Sequence, residues 1–158
     1  MKINKDMDKT FLDITEQLGK FSKCQSFKMA AVIVKNGRII STGINGTPPG
    51  TKNCNEVFPE FDPMKDIEIR KKHHKWSEKF EIHAEMNAIL NATVNGINIS
   101  DSTIYISNLC CFNCLKHILG SGIKRIVYKN YYDHGAIGKD VEASLKDAGV
   151  SLELFSNT

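Results

Sequence analysis

The chain has no apolar run approaching the ~18 residues that a membrane-spanning helix needs. Its first residues, Met1-Lys2-Ile3-Asn4-Lys5-Asp6, carry no hydrophobic stretch behind the lysines of the kind a secretion signal has. The expectation is a soluble, cytoplasmic protein that does not enter a membrane. Charge of one sign is scarce too: 21 Lys and Arg against 18 Asp and Glu leave a formal +3, too little by itself to argue nucleic-acid binding. The one basic run, Arg70-Lys71-Lys72-His73-His74-Lys75, could meet phosphate but reads first as a solvated helix face. The few prolines are Pro48, Pro49, Pro59 and Pro63, so helix and strand breakers are confined to one stretch. The five cysteines, in a chain read as cytoplasmic, point to metal or packing, because the cytosol keeps thiols reduced.

What is present is ordinary globular composition, 41% hydrophobic and 25% charged over 158 residues, enough for one domain with a core of its own. Apolar residues at helical spacing (Phe11, Leu12, Ile14, Thr15, Leu18) predict a helix from about Asp8 to Phe21, ending near Gly19. Phe27–Lys35 and Arg38–Ile44 read as strands joined at Asn36-Gly37, a strong hairpin turn. From about 45 to 82 the pattern is lost, except that Asp62-Pro63 could cap a helix toward Trp76. So long a loop calls for a tie, and Cys54, His73 and His74 offer one.

Beyond this insert the pattern alternates: helix His83–Asn95, strand Thr103–Ser107, helix Cys111–Leu119, strand Lys124–Tyr128, helix Lys139–Asp147 and strand Val150–Phe155. A hairpin followed by such alternation predicts a single α/β domain over 1–158, a mixed five-stranded sheet between helices, with an insert at about 45–82.

The chemistry is concentrated in His83-Ala84-Glu85 and, 28 residues after the histidine, Cys111-Phe112-Asn113-Cys114. Catalytic zinc takes three protein ligands and keeps a fourth position for water, whose pKa falls toward ~7. His83, Cys111 and Cys114 supply three such ligands, and Glu85, about 200° round a helix from His83, is left as a proton carrier. H-x-E with P-C-x-x-C is the signature of zinc nucleobase deaminases; Cys110 stands here in place of the proline. The alternative is a closed, purely structural zinc with Cys110, His117 or His134 as fourth ligand. Cys110 with Cys114 is a second register, of non-standard spacing.

With these motifs go the hairpin Ala31–Gly43, the loop Ile44-Asn45-Gly46-Thr47-Pro48-Pro49-Gly50, the run His83-Ala84-Glu85-Met86-Asn87-Ala88-Ile89-Leu90, the strand Gly122–Tyr128 and the pair Tyr132-Asp133. From about Ser22 to Asp133 the chain resembles the deoxycytidylate (dCMP) deaminases of the zinc-dependent cytidine deaminase superfamily, with their G-Y-N-G-x-P-x-G loop and H-A-E-x-N-A-I helix. The resemblance implies a three-layer α/β/α cytidine-deaminase-like fold and hydrolysis of dCMP to dUMP and ammonia. It implies zinc on His83, Cys111 and Cys114, Glu85 as the catalytic acid and base, and Asn45, Ala84, Tyr132 and Lys28 at the nucleotide, Lys28 toward its phosphate. It further implies a homo-oligomer, commonly a hexamer, activated by dCTP and inhibited by dTTP through a loop holding Gly43, Asn45 and Gly46, with Mg2+ accompanying the triphosphate. Departures are Cys110, Phe112 and Ile44, where the family has tyrosine; the last touches effector binding more than catalysis.

Some members of the family carry a second, structural zinc, and Cys24, Cys54, His73 and Glu81 occupy the matching places, with His74 as an alternative ligand. Two other functions stay open: a related deaminase acting on dCTP, cytidine or an RNA base, and a catalytically silent nucleotide- or zinc-binding module. Turnover of dCMP and dependence on Glu85 separate them.

Overall fold

The computed structural model describes residues 4–62, 65–131 and 139–156. Among them the elements run α1 (Lys5–Gly19), β1 (Ala30–Lys35), β2 (Arg38–Ile44), α2 (Cys54–Val57), α3 (Ile67–Phe80), α4 (Ala84–Val94), β3 (Thr103–Asn108), α5 (Phe112–Gly120), β4 (Arg125–Asn130), α6 (Lys139–Asp147) and β5 (Ser151–Leu154). The strands form one sheet in the order β2-β1-β3-β4-β5. Its first two pairings are antiparallel and its last two parallel, the mixed five-stranded sheet expected.

Alternation along the strands divides the core into two layers. Ala31, Ile33, Ile104, Ile106 and Ile126 face α4, α5 and α6, meeting Ala84, Ala88, Ala92, Leu115, Ile118 and Leu145. Val32, Val34, Tyr105 and Val127 face the other way, onto Phe11 and Leu12 of α1. The hairpin turn sits at Asn36 and Gly37, both at positive φ (52° and 73°), as a primed two-residue turn requires.

Three elements depart from expectation. β1 begins at Ala30, not Phe27, because the preceding backbone is bound by a side chain: Met29 N donates to Asn45 Oδ1 and Asn45 Nδ2 donates to Phe27 O. The insert helix starts after Asp66, not Asp62, since the Asp66 carboxylate accepts from Ile69 N and caps the first turn. And the buried stripe of α1 includes a carboxylate, Asp8, beside Phe11, Leu12, Thr15 and Gly19.

Asp8 accepts two hydrogen bonds from Arg125 (2.7 and 2.8 Å) and one from Tyr105 OH (2.6 Å), while Arg125 also holds Glu153 at 2.7 Å. Burial alone would raise the Asp8 pKa, but Arg125 and Tyr105 bring it below its ordinary 3.8; Arg125 lowers Glu153 likewise. Both carboxylates are depressed by folding, so their stabilisation is complete above the unfolded-state values near 4 and is lost as pH falls through the lower folded values. Asp8→Ala should cost about 2 kcal/mol at neutral pH by leaving a half-buried guanidinium with fewer partners, Glu153 among those it keeps. It should also flatten the acid limb of a plot of stability against pH, which urea melts between pH 3 and 7 would resolve.

Candidate metal centres and cavity

Two helix N-termini meet beside the end of β3. The link out of α3 is extended: Ile82 pairs with Gly46 in both directions (Ile82 N to Gly46 O 2.8 Å, Gly46 N to Ile82 O 3.1 Å) and delivers His83 as the N-cap of α4. Cys111 caps α5, and Cys114 follows one turn on. The Nδ1 of His83 lies 3.5 Å from each of the Cys111 and Cys114 sulfurs. Bond lengths of ~2.3 Å to sulfur and ~2.0 Å to nitrogen give a tetrahedral S···N edge of roughly 3.5 Å, so the three donors fit zinc as they stand. They form a group of three among the described residues. Cys110 is buried but outside that group, the ring of His117 turns to Asn113 O on its own helix, and His134 lies outside the described residues.

The electrostatics suit a cation. The hydrogen bond from Cys114, against the cost of burial, holds the Cys111 thiol well below its ordinary value, and that same contact raises Cys114. The Cys111 thiolate in turn raises His83. Glu85, in the first turn of α4, is buried, and loss of water raises its carboxyl above the ordinary value. A carboxyl that is not fully committed to ionisation can both take and give a proton.

A second group, Cys24, Cys54, His73 and Glu81, brings one donor atom each within 4.8 Å of the others. His73 Nε2 is 3.2 Å from Cys54 Sγ and 3.7 Å from Cys24 Sγ, and Cys24 Sγ is 3.5 Å from Glu81 Oε2. Phe61 stacks on the His73 ring at 5.0 Å and Phe58 meets it edge-on, fixing its plane. Burial lowers the His73 pKa, which favours the neutral ligand form, and pushes Cys24 up to about 12 and Cys54 upward. Glu81 Oε1 is buried without a hydrogen-bond partner among the described residues. A divalent cation would satisfy that acceptor, and four protein donors make this a closed, structural type of centre. His74 points away, exposed, 3.5 Å from Glu78.

Both groups border one cavity of about 590 Å3, lined also by Phe27, Met29, Asn45, Ala84, Glu85, Asn108 and Cys110. Asn45 is on its wall with its amide engaged at Phe27 and Met29. Gly43 faces α4: a Cβ there would sit 2.1 Å from Ala84 O and 2.2 Å from Ala88 N. Gly46 holds Ile82. Lys28 is placed apart, donating to Ser22 O (2.6 Å) and lining a separate hollow with Lys20 and Lys23. Tyr132 lies outside the described residues. Sequence reasoning missed Asn87, whose Nδ2 donates to Ile44 O (2.7 Å) and clamps the first turn of α4 to β2; the asparagine of the H-A-E-x-N run was the signal for it.

The cytidine and deoxycytidylate deaminase zinc-binding region matches residues 5–130. The deoxycytidylate deaminase of Enterobacteria phage T4 is 40% identical over 169 residues, covering 90% of this chain and 86% of that protein. Its counterpart from phage T2 is also 40% identical, covering 90% and 89%. Among solved structures, the dCMP deaminase of cyanophage S-TIM5 in complex with dCMP and dUMP superposes with a TM-score of 0.73 at 28% identity, covering 96% of this chain and 98% of that one. Sheet order, the paired helix N-termini and the matched region agree: this chain belongs to the cytidine and deoxycytidylate deaminase zinc-binding family.

Proposed function

We propose that the protein hydrolyses dCMP to dUMP and ammonia, with His83, Cys111 and Cys114 as ligands of a catalytic zinc and Glu85 as the catalytic acid and base. The observation that carries this reading is the three-donor group bordering a cavity that Glu85, a buried carboxyl outside the group, also lines. The phage relatives, named deoxycytidylate deaminases, support dCMP as the substrate. Zinc on these ligands supplies a nucleophile at neutral pH by acidifying water.

The protein's own residues do the rest. Glu85 accepts a proton as the nucleophile forms, delivers it to N3 of the cytosine, and carries a second to the departing amine, so that ammonia leaves and the carbonyl of uracil remains. The first-turn amides at Ala84 offer the base a polar edge, and the Asn45 clamp keeps Phe27 and Met29 as fixed walls. Cys24, Cys54, His73 and Glu81 hold a second, structural zinc that ties the insert to the loop before β1. Activation by dCTP and inhibition by dTTP through the Gly43–Gly46 loop belong to the same reading, and a rate on dCMP indifferent to both would remove that part.

The test of metal content is elemental analysis of the purified protein. Two zincs per chain are expected, falling by one in Cys111→Ser; a metal-free protein that still turned over dCMP would remove the zinc assignment.

A further inference from the structure

We infer that the two metal centres bind zinc as a coupled pair, the four-donor centre setting the position of His83 and hence the zinc affinity of the three-donor centre. This rests on the reading that both groups hold zinc.

Glu81 and His83 are separated by one residue, and the backbone is extended at both (φ −92°, ψ 133° and φ −65°, ψ 153°). Side chains two apart on an extended chain share a face. Both accordingly border the same cavity, one belonging to each centre. The intervening Ile82 is pinned to Gly46 through both its N–H and its C=O, and Asn87 reaches the same strand end through Ile44 O. Ile82 is therefore a fixed pivot, and a change of backbone angle at Glu81 on one side of it turns the peptide that carries His83 on the other.

Glu81 has reason to move when its centre is empty. One carboxylate oxygen accepts from Ser77 Oγ at 2.7 Å and from Cys24 Sγ at 3.5 Å, and the other is buried with no partner among the described residues. Unpaired buried charge is costly, and turning toward water relieves it. The other two ligands of the catalytic centre, Cys111 and Cys114, stand on α5, outside the insert. The coupling thus passes through His83 alone, the one catalytic ligand joined directly to a ligand of the other centre.

Coupling between binding sites is reciprocal and typically changes affinity 5- to 150-fold. Zinc-loaded wild type, Cys24→Ser, Cys54→Ser and Cys111→Ser would be compared for zinc per chain and for the rate of zinc release to a chromogenic chelator. Replacing bound zinc by cobalt would give the thiolate-to-metal absorption of whichever centre remains. The expected result is that Cys24→Ser and Cys54→Ser lose the four-donor zinc and release the remaining one about tenfold faster. Cys111→Ser should speed release from the four-donor centre by a similar factor. If Cys54→Ser does not fold, Cys24→Ser, which likewise empties the centre and leaves the Glu81 carboxyl in place, decides the matter. Release of the remaining zinc at the wild-type rate, with an unchanged cobalt spectrum, would overturn the coupling while leaving two centres standing. A single zinc in the wild type would overturn both.

Discussion

Glu85→Gln is expected to lower the rate of dCMP deamination roughly 10²–10⁴-fold, the range over which positioned acids and bases act, while zinc content stays at the wild-type value. The side chain is buried and its carboxyl is pushed toward the protonated form, so an amide of the same shape fits the site without stranding a charge. It is not among the donors of either metal group. Thermal stability should therefore be unchanged or slightly raised, which separates loss of a proton carrier from loss of structure. Steady-state kinetics with zinc analysis and a melting curve on the same sample make the check, and wild-type turnover by this variant would contradict the assigned role.

The second large effect is expected at a residue with no side chain. Gly43 in β2 lies against the first turn of α4, and the Cβ of Gly43→Ala would meet backbone atoms of Ala84 and Ala88 at 2.1 and 2.2 Å. No rotamer can relieve a backbone clash, so α4 must move off the sheet, at a cost of about 3 kcal/mol by the usual penalty of overpacking. Its first turn carries Glu85 and follows directly on His83, so activity should fall further than stability does. Differential scanning calorimetry should record a Tm lower by on the order of 10 °C. Gly46→Ala is the control: a Cβ there has open space, and its Tm should stay within a degree or two of wild type on the same scale.

Much of this was legible in the chain because it is local. Asn36-Gly37 encodes its own turn, and the H-A-E and C-x-x-C runs each fall at a helix start, where three donors and a carboxyl can be read from spacing. Of the boundaries that moved, α3 starts at a local cap, Asp66 on Ile69 N, that competes with Asp62 as a start signal, whereas β1 is shortened by a contact from elsewhere, the amide of Asn45 after β2. Asp8 was illegible for the same reason. An aspartate in a polar helix reads as surface, and what buries it is Arg125, 117 residues away. Gly43 belongs here too: the resemblance puts it in an effector loop, and only the packed fold reveals its contact with α4. The four donors of the second centre come from a loop, two helices and an extended link, so the family resemblance and not a spacing rule named them, and the fold brings the same four together.

The reaction itself is the most direct test. Zinc-loaded protein would be given dCMP, dCTP, deoxycytidine and cytidine in parallel, each with and without dCTP or dTTP as effector where that is not the substrate, with the uracil product and ammonia measured together. The predicted result is dUMP and ammonia in equal amounts from dCMP, at a kcat/KM well above that for the other three. Absence of dUMP under every condition, from protein carrying its zinc, would contradict the assignment.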